Sequence, residues 1–195
     1  LSLVRVIFFL FSLGRAGDML SGWLAVPSHL PEVLSKPWTL ISYMFLHFEL
    51  LHLFFNMVVL YVGGRLFSDF IGKERLTPTY LIGGLFGALF YILSFNIFPA
   101  FSDVVSHSVA LGASASVLAI FIAIAVYMPE FRLPLLIIGS VRLKYIALFF
   151  VIIDIISIDK GNPGGHLAHL GGALWGFLYA KALKSGKDPA RGLQS

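Results

Sequence analysis

A chain of 195 residues that is 58% hydrophobic and only 12% charged carries more apolar side chain than a soluble core of that size hides. Its long apolar segments mark a polytopic helical membrane protein, and runs such as Tyr145 to Ile153, apolar on every face, exclude a transmembrane β-barrel with its alternating residues. The net charge of +4 comes from basic residues scattered between these segments, a topology signal rather than a nucleic-acid surface, and the lack of cysteine excludes disulfides, thiolate nucleophiles and cysteine-bound metals.

In chain order, Leu1 to Leu13 is shorter than the roughly 20 residues of a span and is expected to be the end of a first helix that continues upstream. Gly17 to Pro37 mixes apolar residues with prolines, Asp18 and Glu32, and is expected to lie as a loop at the membrane interface with Trp23 and Trp38 at headgroup level. The second span is placed at Trp38 to Phe67, the third at Thr77 to Phe98 and the fourth at Val109 to Met128, stopped by Pro129. Phe131 to Lys144, broken by Pro134 and Gly139, predicts an interfacial hairpin or loop. Tyr145 to Ile158 is the fifth span and carries Asp154; Asp159 to Gly165 is a turn-rich loop; His166 to Leu183 is the sixth span, followed by a polar tail over residues 184–195. The expected architecture is a single all-α membrane domain over residues 1–195, a bundle of six transmembrane helices with an interfacial loop between the first two.

Ten of the lysines and arginines fall in the connections of one side, against three on the other, which places both chain ends in the cytoplasm. The second, fourth and sixth spans then begin at the outer face. The fourth opens on Gly112-Ala113-Ser114-Ala115-Ser116, small residues where bulky ones are expected. In the sixth, His169, Gly172 and Gly176 share one helical stripe. Ser114 lies about five residues into its span and His169 about three, so at 1.5 Å per residue both sit roughly 5–10 Å below the boundary. If the two helices pack on their small residues, His169 reaches the Ser114 hydroxyl, the arrangement of an activated nucleophile. Ser116, Ser42 and Ser94 are expected to bond to backbone or a neighbouring helix instead.

The second span carries His47, Glu49, His52 and Asn56, a costly set for one span. Asn56 follows His52 by four residues and shares its face; the two could donate to an oxyanion, or Asn56 could simply tie helices together. His47 and His52, five apart, point about 140° away from each other on one helix and do not easily share an ion. His166 and His169, three apart, could, but beyond Glu49 and Asp154 no carboxylate is evident to complete such a site. Metal catalysis is the weaker reading, and no metal or other cofactor is expected.

Together, His47-x4-His52-x3-Asn56, Gly112-Ala113-Ser114-Ala115 and Ala168-His169-x2-Gly172-x3-Gly176 closely resemble the rhomboid intramembrane serine proteases of bacterial type, in order and spacing over nearly the whole chain. The resemblance implies a six-helix core, a Ser114/His169 dyad with no aspartate, and an oxyanion site made by the Ser114 backbone N–H, the Asn56 amide and His52. It implies a structural role for His47, packing roles for Gly112, Gly172 and Gly176, and substrate access involving the fifth helix and the Asp159–Gly165 loop. The partners it implies are the lipid bilayer of a bacterial cell membrane and transmembrane protein substrates cut near their outer ends, with no nucleic acid. Tyr43, Thr39 and Leu118 depart from the family pattern; Leu118 stands where an aromatic often supports the catalytic imidazole. Two other classes fit the same residues: an inactive rhomboid-like protein that binds transmembrane clients, and a small transporter using buried histidines with Asp154 as a relay.

Overall fold

In the computed structural model, which describes residues 21–135 and 138–193, the apolar segments fold as helices around one central helix. The expected first helix lies outside the described residues. Two short helices, α1 (Leu30–Ser35) and α2 (Thr39–Ser42), precede the long α3 (Leu50–Phe70) and α4 (Leu76–Ile97). The central α5 (Ser114–Tyr127) follows, then a hairpin, α6 (Leu143–Ser157) and α7 (Pro163–Lys184). Among the described residues, α3 and the stretch Lys73–Ile97 are each long and apolar enough to cross a membrane.

The second span starts later than the sequence predicts. Trp38 to Glu49 is α2, a 3-10 turn at Tyr43–Phe45 and extended backbone, so His47 and Glu49 lie outside the helix. Tertiary anchors override the apolar pattern here: Tyr43 and Met44 are buried, and the Tyr43 hydroxyl donates to the Gly84 carbonyl of α4 at 2.6 Å. The fourth span is also shorter. Val109–Ala110 (β2) pairs antiparallel with Val26–Pro27 (β1), and Gly112, at a φ of +125° that side-chain-bearing residues avoid, keeps the helix from starting before Ser114. The sixth begins at Pro163 rather than His166, because Asn162 caps it by accepting the Gly165 N–H and proline suits the first helical position. The hairpin expectation holds, with Arg132–Leu135 (β3) antiparallel to Gly139–Arg142 (β4) and Arg132 opposite Arg142. Trp23 and Trp38 stack at 5.7 Å, and the Trp38 indole donates to the Trp23 carbonyl, an exposed aromatic pair before the bundle.

α5 is buried at every position from Ala115 to Ala125. Its 14 residues make about 21 Å of helix, short of the roughly 30 Å hydrocarbon thickness. Small residues set its neighbours. A Cβ at Gly172 would run into the Ala115 carbonyl and one at Gly176 into that of Ala119, while Gly83 and Gly87 of α4 meet the methyls of Ala119 and Ala115. Lipid tails are as apolar as leucine, so this close fit, rather than removal from water, holds such helices together. On the outside, Phe54, Phe55 and Tyr61 of α3 and Leu148, Phe149 and Ile152 of α6 are exposed, the apolar exterior of a protein solvated by lipid.

Candidate active site

The loop before α5 is held from two sides, and that places Ser114. The Gly112 N–H donates to the Tyr43 carbonyl at 2.9 Å and the Ala113 N–H to His47 Nε2 at 3.2 Å. His47 must keep that nitrogen unprotonated to accept, and burial, followed by the neighbouring His52, pushes its pKa below the usual imidazole value. Ser114 is then the first residue of α5, where backbone N–H groups lack partners within the helix and the dipole favours negative charge.

The glycine seam of α7 brings His169 over the same point. Its Nε2 lies 2.6 Å from Ser114 Oγ. The His52 ring stands against the loop: a Cβ at Gly112 would meet His52 Cε1 at 3.1 Å, its Nε2 at 3.6 Å and Ser114 Oγ at 3.6 Å. Asn56 is buried one turn further along α3, and its Nδ2 donates to the His52 carbonyl at 2.9 Å, which leaves its second amide hydrogen for another acceptor. The structure thus brings Ser114, His169 and His52 together, with Asn56 one turn along α3 from His52 and His47 bonded to the loop. Although His47 and His52 are not on one helix, their rings still meet edge-on at 5.3 Å. Ser116, fully buried, faces Gly84 and not His169; Ser42 donates to the Leu24 carbonyl as expected.

The resemblance implied a Ser114/His169 pair with no aspartate, but here an aspartate touches the imidazole. Asp154 Oδ1 lies 2.8 Å from His169 Nδ1 and 2.8 Å from His166 Nδ1, with Asp154 only 5% exposed. The signal was present: an acidic residue inside an apolar helix demands a partner. Asp154 stands three residues from the end of α6 and His166 three from the start of α7, so a tight antiparallel hairpin sets them at one depth. Among the described residues, Asp154, His166 and His169 also have ligand atoms within 4.8 Å of one another and could hold a metal ion. A metal on His169 Nδ1 would leave a protonated Nε2 facing Ser114 and remove the base. A cavity of about 490 Å³ between α3 and α4, lined by Leu60, Gly64, Leu76 and Tyr80, touches none of these residues.

A membrane-embedded helical protein with a serine and an imidazole in contact at the head of a buried helix is the class that fold and site define. Residues 34–185 match the Rhomboid domain, and the chain belongs to the rhomboid family. It is 30% identical over 158 residues to RHOMBOID-like protein 12, mitochondrial, of Arabidopsis thaliana, covering 76% of this chain and 47% of that protein. To Presenilin-associated rhomboid-like protein A, mitochondrial, of Danio rerio it is 30% identical over 159 residues, covering 77% of this chain and 36% of that one. To Inactive rhomboid-related protein 2 of Caenorhabditis elegans it is 29% identical over 206 residues, with 98% and 55% covered. The chain spans about a third to a half of the length of these relatives. Two of the three are mitochondrial by name, and none supports the bacterial membrane expected from the sequence.

Proposed function

We propose that the protein is an intramembrane serine endopeptidase that hydrolyses membrane-anchored proteins near the outer ends of their transmembrane segments. The observation that carries this reading is the 2.6 Å contact between His169 Nε2 and Ser114 Oγ at the N-terminus of a buried helix. As Oγ bonds to the scissile carbonyl carbon, its proton passes to His169 Nε2 and the carbonyl π electrons move to oxygen. The Ser114 N–H, the second amide hydrogen of Asn56 and His52 are the donors this reading assigns to that oxyanion. The C–N bond then breaks, the leaving amine takes the proton from His169, and water repeats the sequence to free Ser114.

Because α5 falls about 9 Å short of the hydrocarbon thickness, a C-terminus at one interface leaves Ser114 recessed below the other. The polar residues around it hold the water that deacylation needs. The charge bias assigns the recessed face to the outside and both chain ends to the cytoplasm, in a multi-pass arrangement of six spans. Substrates that unwind easily near that face are preferred, since helical carbonyls are shielded. The name of the nematode relative keeps a second reading in view, an inactive binder of transmembrane clients. Such a protein has no use for a base hydrogen-bonded to a serine.

The test is purified protein in liposomes with a transmembrane-segment substrate carrying small residues near one end, alongside Ser114→Ala and His169→Ala. Cleavage by the wild type and loss in both variants supports the protease. Client binding without cleavage favours the inactive reading, and ion flux without cleavage a transporter.

A further inference from the structure

Asp154 is the one acidic residue of α6, and its aim is specific: Ile153 and Ile155 on either side are exposed, while Asp154 is buried. Its Oδ1 receives two imidazoles at equal distance. An ionised carboxylate only accepts hydrogen bonds, so both histidines must carry their proton on Nδ1. For His169 that choice has a chemical result. Its Nε2 keeps a lone pair, and that lone pair faces the Ser114 hydroxyl. The other tautomer would set N–H against O–H and leave no base.

The His166 ring meets that of His169 edge-on at 6.0 Å and 86°, and Leu118 offers the imidazole no aromatic face. We propose that Asp154 is a positioning residue for the base, so that the site works as a Ser114, His169, Asp154 triad in which His166 braces the carboxylate from its other side. This rests on the protease reading above. When His169 takes the Ser114 proton it becomes an imidazolium beside the carboxylate; Asp154 orients and compensates that charge and takes no proton itself. His166 holds the same oxygen without touching Ser114, which keeps the carboxylate from turning away from His169.

The experiment uses the full chain in liposomes with the same substrate, and a fluorophosphonate probe that labels an activated serine. Asp154→Asn keeps the size of the side chain but offers an amide, and is expected to lower kcat by about 10²- to 10⁴-fold with KM near the wild-type value. Labelling of Ser114 slows in parallel, the unfolding midpoint stays close to wild type, and Asp154→Glu recovers part of kcat. His166→Ala retains more activity than Asp154→Asn, since the bond to His169 survives. Wild-type kcat in Asp154→Asn, or a loss confined to KM or to the folded fraction, overturns the proposal and leaves the protease reading standing. Should Asp154→Asn not fold, Asp154→Ser, neutral but able to accept a hydrogen bond from Nδ1–H, is expected to fall at least about tenfold in kcat; an unchanged kcat there overturns it equally. A wild type that neither cleaves nor labels overturns the protease reading and this one with it.

Discussion

α5 and α6 are apolar helices of nearly equal length, 14 and 15 residues, and they are used in opposite ways. α5 is buried almost throughout, whereas α6 buries only Leu143, Ala147 and Asp154. Hydrophobicity does not separate them; side-chain size does. Ala115 and Ala119 let the backbones of α7 and α4 come close, while Leu148, Phe149 and Ile152 keep α6 at the lipid-facing edge. Ser114 and His169 therefore sit on a seam where backbones meet closely, and the group that touches the far side of the imidazole comes from the looser helix. The close placement of Ser114 and His169 is built from glycine and alanine; α6 adds the polar contact of Asp154 to its apolar packing.

The sharpest way to break this comparison is to spoil the seam. Gly172→Leu pushes a side chain into the Ala115 carbonyl, and about 3 kcal/mol of stability is expected to go, read as a lower midpoint of unfolding in detergent, with cleavage lost as His169 leaves Ser114. Normal stability with normal cleavage would mean that the seam does not position the site. His47→Ala removes the acceptor of the Ala113 N–H and is expected to cost about 1–2 kcal/mol and to slow cleavage. If stability falls while the rate per folded molecule holds, His47 supports the fold but not Ser114. Phe149→Ala, on the lipid face of α6, is expected to stay within about 0.5 kcal/mol of wild type, since lipid replaces what the ring touched. A large loss there would show that α6 is held as firmly as α5.

Much of the site was legible because helical periodicity survives in a membrane. His169, Gly172 and Gly176 announced a stripe, and the stripe packs where the small residues of α5 allow. The third span was legible to within a residue at each end. What failed were starting points decided by tertiary contacts. Nothing local tells that Tyr43 turns inward to Gly84, so the helix expected from Trp38 hid the extended His47. The argument that His47 and His52 diverge on one helix fell with it. Asp154 was seen as an oddity but not placed, because its partners lie across a hairpin whose tightness depends on the Asn162 cap.

The smallest expected effect concerns the hairpin that carries the chain from the tight helix to the loose one. Glu130, just beyond α5, is hydrogen-bonded to Lys144 at the start of α6 and paired with Arg142 at 3.1 Å. Lys144 first, with help from Arg142, holds the carboxyl below its ordinary value of 4.5. A depressed carboxylate contributes stability that is present above that ordinary value and is lost as pH falls through the lower, folded one. Wild type is therefore expected to lose a small increment of unfolding midpoint below pH 4.5 that Glu130→Gln never had, so the two converge in acid. Glu130 is exposed, so salt should shrink the difference at neutral pH. If instead acid or Glu130→Gln releases α6 and abolishes cleavage, then α6 is held by its junction with α5 rather than by Asp154, and the polar contact inside the bundle is a consequence of its placement, not the cause.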